Sequence, residues 1–223
     1  MPLLNPSLII LKKDVKSEIR NRYVINSLLM FVIVTISIIK FAVGDEKISQ
    51  EILSGLLWIV IFFSTISGLA RVFIKEEEKE TSFALKLSAE SNSIFLGKFF
   101  FNLILTYCLN IVIFILFVLI TNYEIGNFPA FFITLFIGNF GLVASSTIIA
   151  AIISKANSKG TLYPVLAFPI LLPLLLTVID ATKLSGSGEP ISGLIPDFEI
   201  LIAYSVVVIT ASLLLFRFIW EDT

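Results

Sequence analysis

The sequence contains no histidine. The commonest metal and haem ligand, and the commonest general base, are therefore missing. A single cysteine, Cys108, allows no intramolecular disulfide and leaves the redox compartment open. Tryptophan occurs twice, at Trp58 and Trp220, so there is no Trp-rich platform for a flat ligand. No G-x-x-x-x-G-K-S/T stretch is present, which excludes ATP hydrolysis by this chain. There is no H-E-x-x-H, no C-x-x-C and no pair of intramembrane carboxylates for acid–base work. The expectation is a protein with no catalytic residues, no metal site and no directly bound cofactor. Nothing in it points to a nucleic-acid partner.

Charge is also scarce, at 15% of 223 residues, while 57% are hydrophobic and 21 are phenylalanine. Mean hydropathy is +0.99. Soluble domains stay near ~45–50% apolar, so lipid must cover part of this chain. A bilayer core about 30 Å thick takes roughly 20 apolar residues per helix. Runs of that length extend over Val24–Val43, Ile52–Phe73, Phe99–Ile120, Phe131–Ile153, Leu162–Ile179 and Ile200–Ile219. No charge sits near the middle of any of them, and Lys40 can snorkel from the end of the first. The first run is too long for a cleaved signal, and no A-x-A-like site precedes Gly44. The expected fold is an all-α polytopic bundle of six transmembrane helices, forming one transmembrane domain over residues 1–223.

The loops carry the orientation. Lys12, Lys13, Lys16, Arg20 and Arg22 precede the first span. Arg71, Lys75, Lys79, Lys86 and Lys98 follow the second, Lys155 and Lys159 follow the fourth, and Arg217 ends the last. Thirteen of the sixteen basic residues thus fall on one side, against Lys40, Lys47 and Lys183 on the other. Cytoplasmic loops are enriched in Lys and Arg, so both termini are expected in the cytoplasm.

Two segments outside the spans read as helical. Within residues 1–23, Leu8, Leu11, Val15 and Ile19 recur at helical spacing beside basic residues, the pattern of an amphipathic helix lying in the membrane interface. The loop from Arg71 to Lys98 is the longest connection. Its run Lys75-Glu76-Glu77-Glu78-Lys79-Glu80 favours helix, with i,i+3 and i,i+4 charge pairs, and Phe83, Leu85 and Leu87 follow. Ser91, Asn92 and Ser93 are expected to break the helix and cap the third span at Ile94. The loop, 74–93, reads either as a solvated connection or as a short helix that docks a partner through Phe83 and Leu85.

Inside the spans, Asn102, Thr106 and Asn110 form one polar stripe. Polar side chains in lipid need partners, so the stripe is either interhelical glue or a substrate path. Gly138, Gly141 and Ser145 share a face of the fourth span, and Ser64 and Gly68 share one in the second. Both patterns allow close helix packing, within the bundle or at a homodimer seam. The fifth span carries Pro164, Pro169 and Pro173, each removing a backbone donor, so it is expected to kink and to pack against protein. It ends at Asp180, which is either a solvated helix end or a contact for a partner or substrate on the outer side.

Six spans, an N-terminal interfacial helix and a helical loop after the second span resemble an ABC-2-type transporter permease. More specifically, the chain resembles the haem exporter B subunit of bacterial cytochrome c maturation, the CcmB family. Three stretches carry the likeness. Arg71-Val-Phe-Ile-Lys-Glu-Glu-Glu78, running on to Phe95-Leu-Gly-Lys98, is similar to the family's R-x-F-x-x-D/E start and its L-A/G-K return into the membrane. Gly160-Thr-Leu162, followed by Val165-Leu-Ala-Phe-Pro-Ile-Leu-Leu-Pro-Leu-Leu-Leu176, is similar to its paired-proline fifth helix. Asp180-Ala181 follows. The family often has G-S/T-L-E-Q-L and prolines in the cytoplasmic loop, where this chain has Glu80-Thr-Ser-Phe-Ala-Leu85. The resemblance implies a permease subunit in the bacterial inner membrane, pairing with a separate cytoplasmic ATPase. That ATPase would couple through the loop residues Glu76, Glu77, Glu78, Glu80, Phe83 and Leu85. It also implies other membrane subunits, including a haem-handling protein and a haem chaperone, with haem as substrate of the complex. Lacking histidine, this chain would leave haem ligation to another subunit. Two alternatives stay open: a permease for a lipid, drug or polysaccharide, or a non-transporting scaffold of the maturation complex.

Overall fold

A computed structural model describes residues 4–44, 48–69, 71–78, 80–155 and 162–221. Lys47, Lys79, Lys159, Gly160, Thr161 and the side chain of Pro164, all named above, lie outside the described residues. The described chain is helical, with no strand among the described residues. In order it runs α1 (Leu4–Asn21), α2 (Tyr23–Val43), α3 (Gln50–Leu69), α4 (Arg71–Glu78), α5 (Ser82–Ser88), α6 (Ser91–Thr121), α7 (Phe128–Ser154), α8 (Leu162–Gly186) and α9 (Ile195–Glu221). A 3₁₀ turn, Ile191–Leu194, leads into α9.

Six helices are long and apolar enough to cross a membrane, in the six places the hydropathy runs predict. Several outrun the apolar stretch. α6 begins at Ser91, so Ser91, Asn92 and Ser93 form its first turn rather than a break, and the break lies at Ala89–Glu90. α8 continues past Asp180 to Gly186, so Asp180 does not end the helix. Polar residues can continue a helix once its ends leave the lipid, at up to about 0.7 kcal/mol each, and hydropathy cannot register them.

α7 is the axis of the bundle. Of its apolar stretch 78% is buried against protein, compared with 22% for α2, so lipid must clothe the outer helices. Small residues let α7 take that place. A Cβ on Gly138 would lie 2.6 Å from Val178 Cγ1 and 2.7 Å from Trp58 Cη2. A Cβ on Gly141 would lie 2.8 Å from Leu174 Cδ1 and 2.9 Å from Ser205 Oγ. Both glycines therefore bring α3, α8 and α9 against α7, as small residues do in membrane bundles. Trp58 Nε1 donates to Thr182 Oγ1 at 2.7 Å, satisfying a fully buried indole. At the end opposite the basic loops, Tyr123 pairs with Ser54 at 3.0 Å, and the Gly126 amide donates to the Gly186 carbonyl.

α8 packs against α3, α7 and α9, as expected, but not through its prolines. Pro169 and Pro173 sit inside a continuous helix and are exposed, whereas Ala167, Leu171, Leu174, Val178 and Ala181 are buried. The proline face thus turns outward, away from the bundle. The backbone between the prolines is held instead by Tyr204, whose hydroxyl donates to the Ile170 carbonyl at 2.9 Å.

Candidate functional site

The basic ends of α1, α3, α6, α7 and α9 meet α4 and α5 in one junction. α4 continues from α3 and breaks after Glu78, because Glu80 adopts a left-handed conformation (φ 54) and turns the chain into α5. The acidic run is therefore not one helix. Thr81 N donates to the Glu76 carbonyl at 2.9 Å, closing the turn.

Glu76 is buried at the centre. Its Oε1 receives Lys98 Nζ at 2.7 Å and Lys13 Nζ at 2.6 Å, and its Oε2 accepts from the Thr81 hydroxyl at 2.6 Å. Lys98, whose side chain is 2% exposed, also meets Asp14 Oδ2 at 2.9 Å. Beside it, Lys75 reaches Glu18 at 3.6 Å and donates to the Ser17 hydroxyl at 3.2 Å. The cluster ties α1, α4 and α6 together with two lysines and two carboxylates around one point. Burial opposes the charge on Lys13, but the Glu76 hydrogen bond and Asp14 outweigh it and hold its pKa above the ordinary lysine value.

α1 docks through a face that overlaps only the middle of its apolar stripe. Ser7 and Ile10 are buried and Asp14 half-buried toward α6, Glu18 is buried toward Lys75 of α4, and Leu11 and Val15 are half-buried against the core, while Leu8 and Ile19 are exposed. Gly97 makes the crossing close: a Cβ there would lie 2.8 Å from Ile10 Cβ and 2.9 Å from the Ser7 carbonyl oxygen. The Ser7 hydroxyl donates across the crossing to the Ser93 carbonyl at 3.0 Å. The stretch Phe95-Leu-Gly-Lys98 thus has two physical jobs, admitting the α1 backbone at Gly97 and neutralising its buried Asp14 at Lys98. Gly97→Val is expected to push α1 off α6 at a cost of about 1–3 kcal/mol. In a Cys108→Ser background, Ser7→Cys should then react with a water-soluble thiol reagent several-fold faster. An unchanged rate would rule out the close crossing.

The family model for CcmB protein matches residues 6–218, a range that takes in the ion cluster around Glu76 and, apart from the last three residues of α9, all six long helices. The chain belongs to the CcmB family. None of the curated proteins compared with it matches. Membership places it among the transmembrane proteins of haem export and c-type cytochrome biogenesis.

In this CcmB chain an aromatic knot lies beside the ion cluster. Phe73, Phe95, Phe216 and Trp220 pack with ring centroids 5.2–5.8 Å apart. Lys155, at the end of α7, lies 5.0 Å from the Trp220 ring and pairs with Glu77 at 2.7 Å. The Ser91 hydroxyl donates to Glu221 at 2.7 Å, joining the start of α6 to the end of α9. α1, α3, α6, α7 and α9 are therefore each bound directly to α4 or to the ends around it.

The expected coupling residues divide accordingly. Glu76 and Glu77 are engaged inside the junction, and Leu85 is buried, so these three are not a free surface. The exposed members are Glu78, Glu80 and Phe83. Leu87, outside the expected set, is 76% exposed beside Phe83 at 70%. The helical repeat explains this: Leu85 lies about 200° round the helix from Phe83, whereas Leu87 lies about 40° from it. Asp14, Lys98, Lys155 and Trp220 hold the junction together, yet the sequence does not single them out as site residues. A lysine at the mouth of an apolar span, and acidic residues four apart in a basic helix, were the available signals.

The polar stripe is buried as expected. Asn102 Nδ2 donates to Thr147 Oγ1 at 2.9 Å, joining α6 to α7. The Thr106 hydroxyl and both amide atoms of Asn110 have no hydrogen-bond partner among the described residues. Asp180 is exposed on α8, toward the opposite end from the basic junction, and does not join the stripe.

Proposed function

We propose that this CcmB-family chain is the permease subunit of an ABC-type complex in the bacterial cytoplasmic membrane. It couples ATP hydrolysis in a separate cytoplasmic subunit to haem export, or to release of haem from its chaperone, during c-type cytochrome biogenesis. The basic-side junction faces the cytoplasm, as the distribution of lysine and arginine supports. α1 lies along the membrane interface, its exposed Leu8 and Ile19 meeting lipid.

The observation that carries the coupling reading is the build of α5 and its supports. α5 offers an exposed apolar pair, Phe83 and Leu87, and its own Leu85 anchors it inside the protein. α4, just before it, is pinned to α1 and α6 through Glu76 and to α7 through Glu77. A push on α5 therefore passes through α4 to α1, α6 and α7 by ionic contacts rather than dissipating in a loop. The ATPase seats on α5, and haem iron is ligated by another membrane subunit, since this chain has no histidine.

The test is affinity purification in mild detergent. Phe83→Asp with Leu87→Asp is expected to lower recovery of the ATPase subunit at least tenfold, because burying one Phe or Leu side chain against a partner stabilises by ~1.5–3 kcal/mol. Thermal stability of the purified chain should not move, since both side chains are exposed. Undiminished ATPase recovery would overturn the docking assignment. Normal c-type cytochromes in a strain lacking the chain would overturn the haem assignment.

A further inference from the structure

The fold sorts the charges of α1. The helix carries four basic residues, Lys12, Lys13, Lys16 and Arg20, and two acidic ones, Asp14 and Glu18. Both carboxylates turn inward, where Asp14 meets Lys98 at 2.9 Å and Glu18 meets Lys75 at 3.6 Å. Lys13 is drawn into the same cluster by Glu76, at 2.6 Å. Lys12, Lys16 and Arg20 are left exposed, with no counter-charge among the described residues.

The exposed arc has a definite order. At about 100° per residue, Leu8, Ile19, Lys12, Lys16, Ile9 and Arg20 follow one another within about 120° of the helix circumference. All six are exposed, and Ile9 is 67% so. Lys16 lies about 160° round from Asp14, so the arc faces away from α6. One edge is apolar, at Leu8 and Ile19. The rest is a cationic band around Ile9, with no carboxylate in it.

The height of α1 decides what this arc meets. The Ser7 hydroxyl reaches the Ser93 carbonyl and Asp14 reaches Lys98, so α1 lies beside the first two turns of α6, where the apolar run begins. A helix at that level has hydrocarbon under its apolar edge and lipid headgroups beside its charged one. Anionic headgroups supply the missing counter-charge. Zwitterionic ones bring their own cation and supply it only in part. An acidic partner from the cytoplasm would match the cations but not the apolar side chains set among them.

We propose that the outward arc of α1 binds anionic phospholipids of the adjoining leaflet, with their phosphates on Lys12, Lys16 and Arg20. The lipid then holds the outer side of the helix whose inner side carries Asp14 into the ion cluster. The proposal rests on the reading above only for α1 lying at the membrane interface.

Photo-crosslinking of the purified full chain tests it, in vesicles of equal parts phosphatidylglycerol and phosphatidylcholine. One benzophenone amino acid is placed at Ile9, within a turn of Lys12. A control is placed at Leu119, 71% exposed at the far end of α6. A single basic residue beside an anionic surface is worth about fivefold in partition. The ratio of phosphatidylglycerol to phosphatidylcholine adducts at Ile9 is therefore expected to exceed that at Leu119 at least about fivefold. Lys12→Gln with Lys16→Gln and Arg20→Gln should bring it down to the control value. Lys12→Arg with Lys16→Arg and Arg20→Lys, which keeps the charge, should preserve it. Sodium chloride should lower the ratio by screening, and sodium phosphate at equal ionic strength should lower it no further. The salt arm needs no variant, so it stands even where the glutamine variant folds poorly. Equal ratios at Ile9 and Leu119, a preference that survives the glutamine substitutions or is lost in the charge-keeping variant, or displacement by phosphate beyond that by chloride would overturn the proposal. So would a protein adduct from the same probe in native membranes. The absence of any lipid adduct at Ile9 would overturn the interfacial placement of α1 as well, so the two failures are distinguishable.

Discussion

Lys98→Met is expected to destabilise the purified chain by about 3–5 kcal/mol and to release α1 from α6. The size follows from what is left behind. With Lys98 present, Lys13 and Lys98 balance Asp14 and Glu76 around one buried point. Without it, one lysine that is nearly half-exposed faces two carboxylates, of which Asp14 then keeps only a 3.3 Å contact to Lys13. The intact cluster need not be strongly stabilising, because burying four charges costs much of what their attraction returns. The penalty arises from removing one partner only. Adding Asp14→Asn restores the balance of one lysine against one carboxylate, so the double variant should recover much of the loss. A double-mutant cycle by thermal unfolding in detergent measures this directly. A double variant no better than Lys98→Met alone would mean that the lysine acts by filling space rather than by its charge.

Trp220→Ala carries a comparable cost, about 3–5 kcal/mol, the usual range for deleting a buried Trp or Phe side chain. Trp220 is 1% exposed and stacks on Phe216, while Phe73 meets its edge. Its removal opens a cavity where α4, α6 and α9 converge and takes the ring away from Lys155. Trp220→Phe keeps a ring in the gap and should retain most of the stability. Because the chain has two tryptophans, Trp58→Phe leaves Trp220 as sole reporter. Its emission should be that of a buried indole, and should shift to the red when Lys98→Met loosens the junction. A red emission in the otherwise intact chain would contradict the burial on which both predictions stand.

Some of this was legible in the residues alone. Asn102, Thr106 and Asn110 fall on one helical face by spacing, and all three are buried. Gly138 and Gly141 read as packing positions, and their neighbours in α3, α8 and α9 explain why. The exposed apolar pair of α5 was only half legible. Phe83 is exposed and Leu85 is not, because the turn at Glu80 sets the phase of α5, and no local pattern announces that phase. The orientation of the α8 prolines was hidden in the same way. They mark an unusual helix, but which way its faces point depends on how α8 lies against α7.

The six spans were determined by the sequence itself. Lipid offers no hydrogen bonds, so a crossing segment must be long, apolar and helical, and those are properties of a single stretch of chain. The side on which the basic loops gather is likewise a one-dimensional property. The junction is not. Asp14, Glu76 and Lys98 are far apart in sequence, and each alone reads as an ordinary charge beside a membrane span. Only the close crossing of α1 over Gly97 and the turn after Glu78 bring them within hydrogen-bonding distance. Burial then makes the three interdependent, because a charge out of water must find its counter-charge from whatever helix packs beside it.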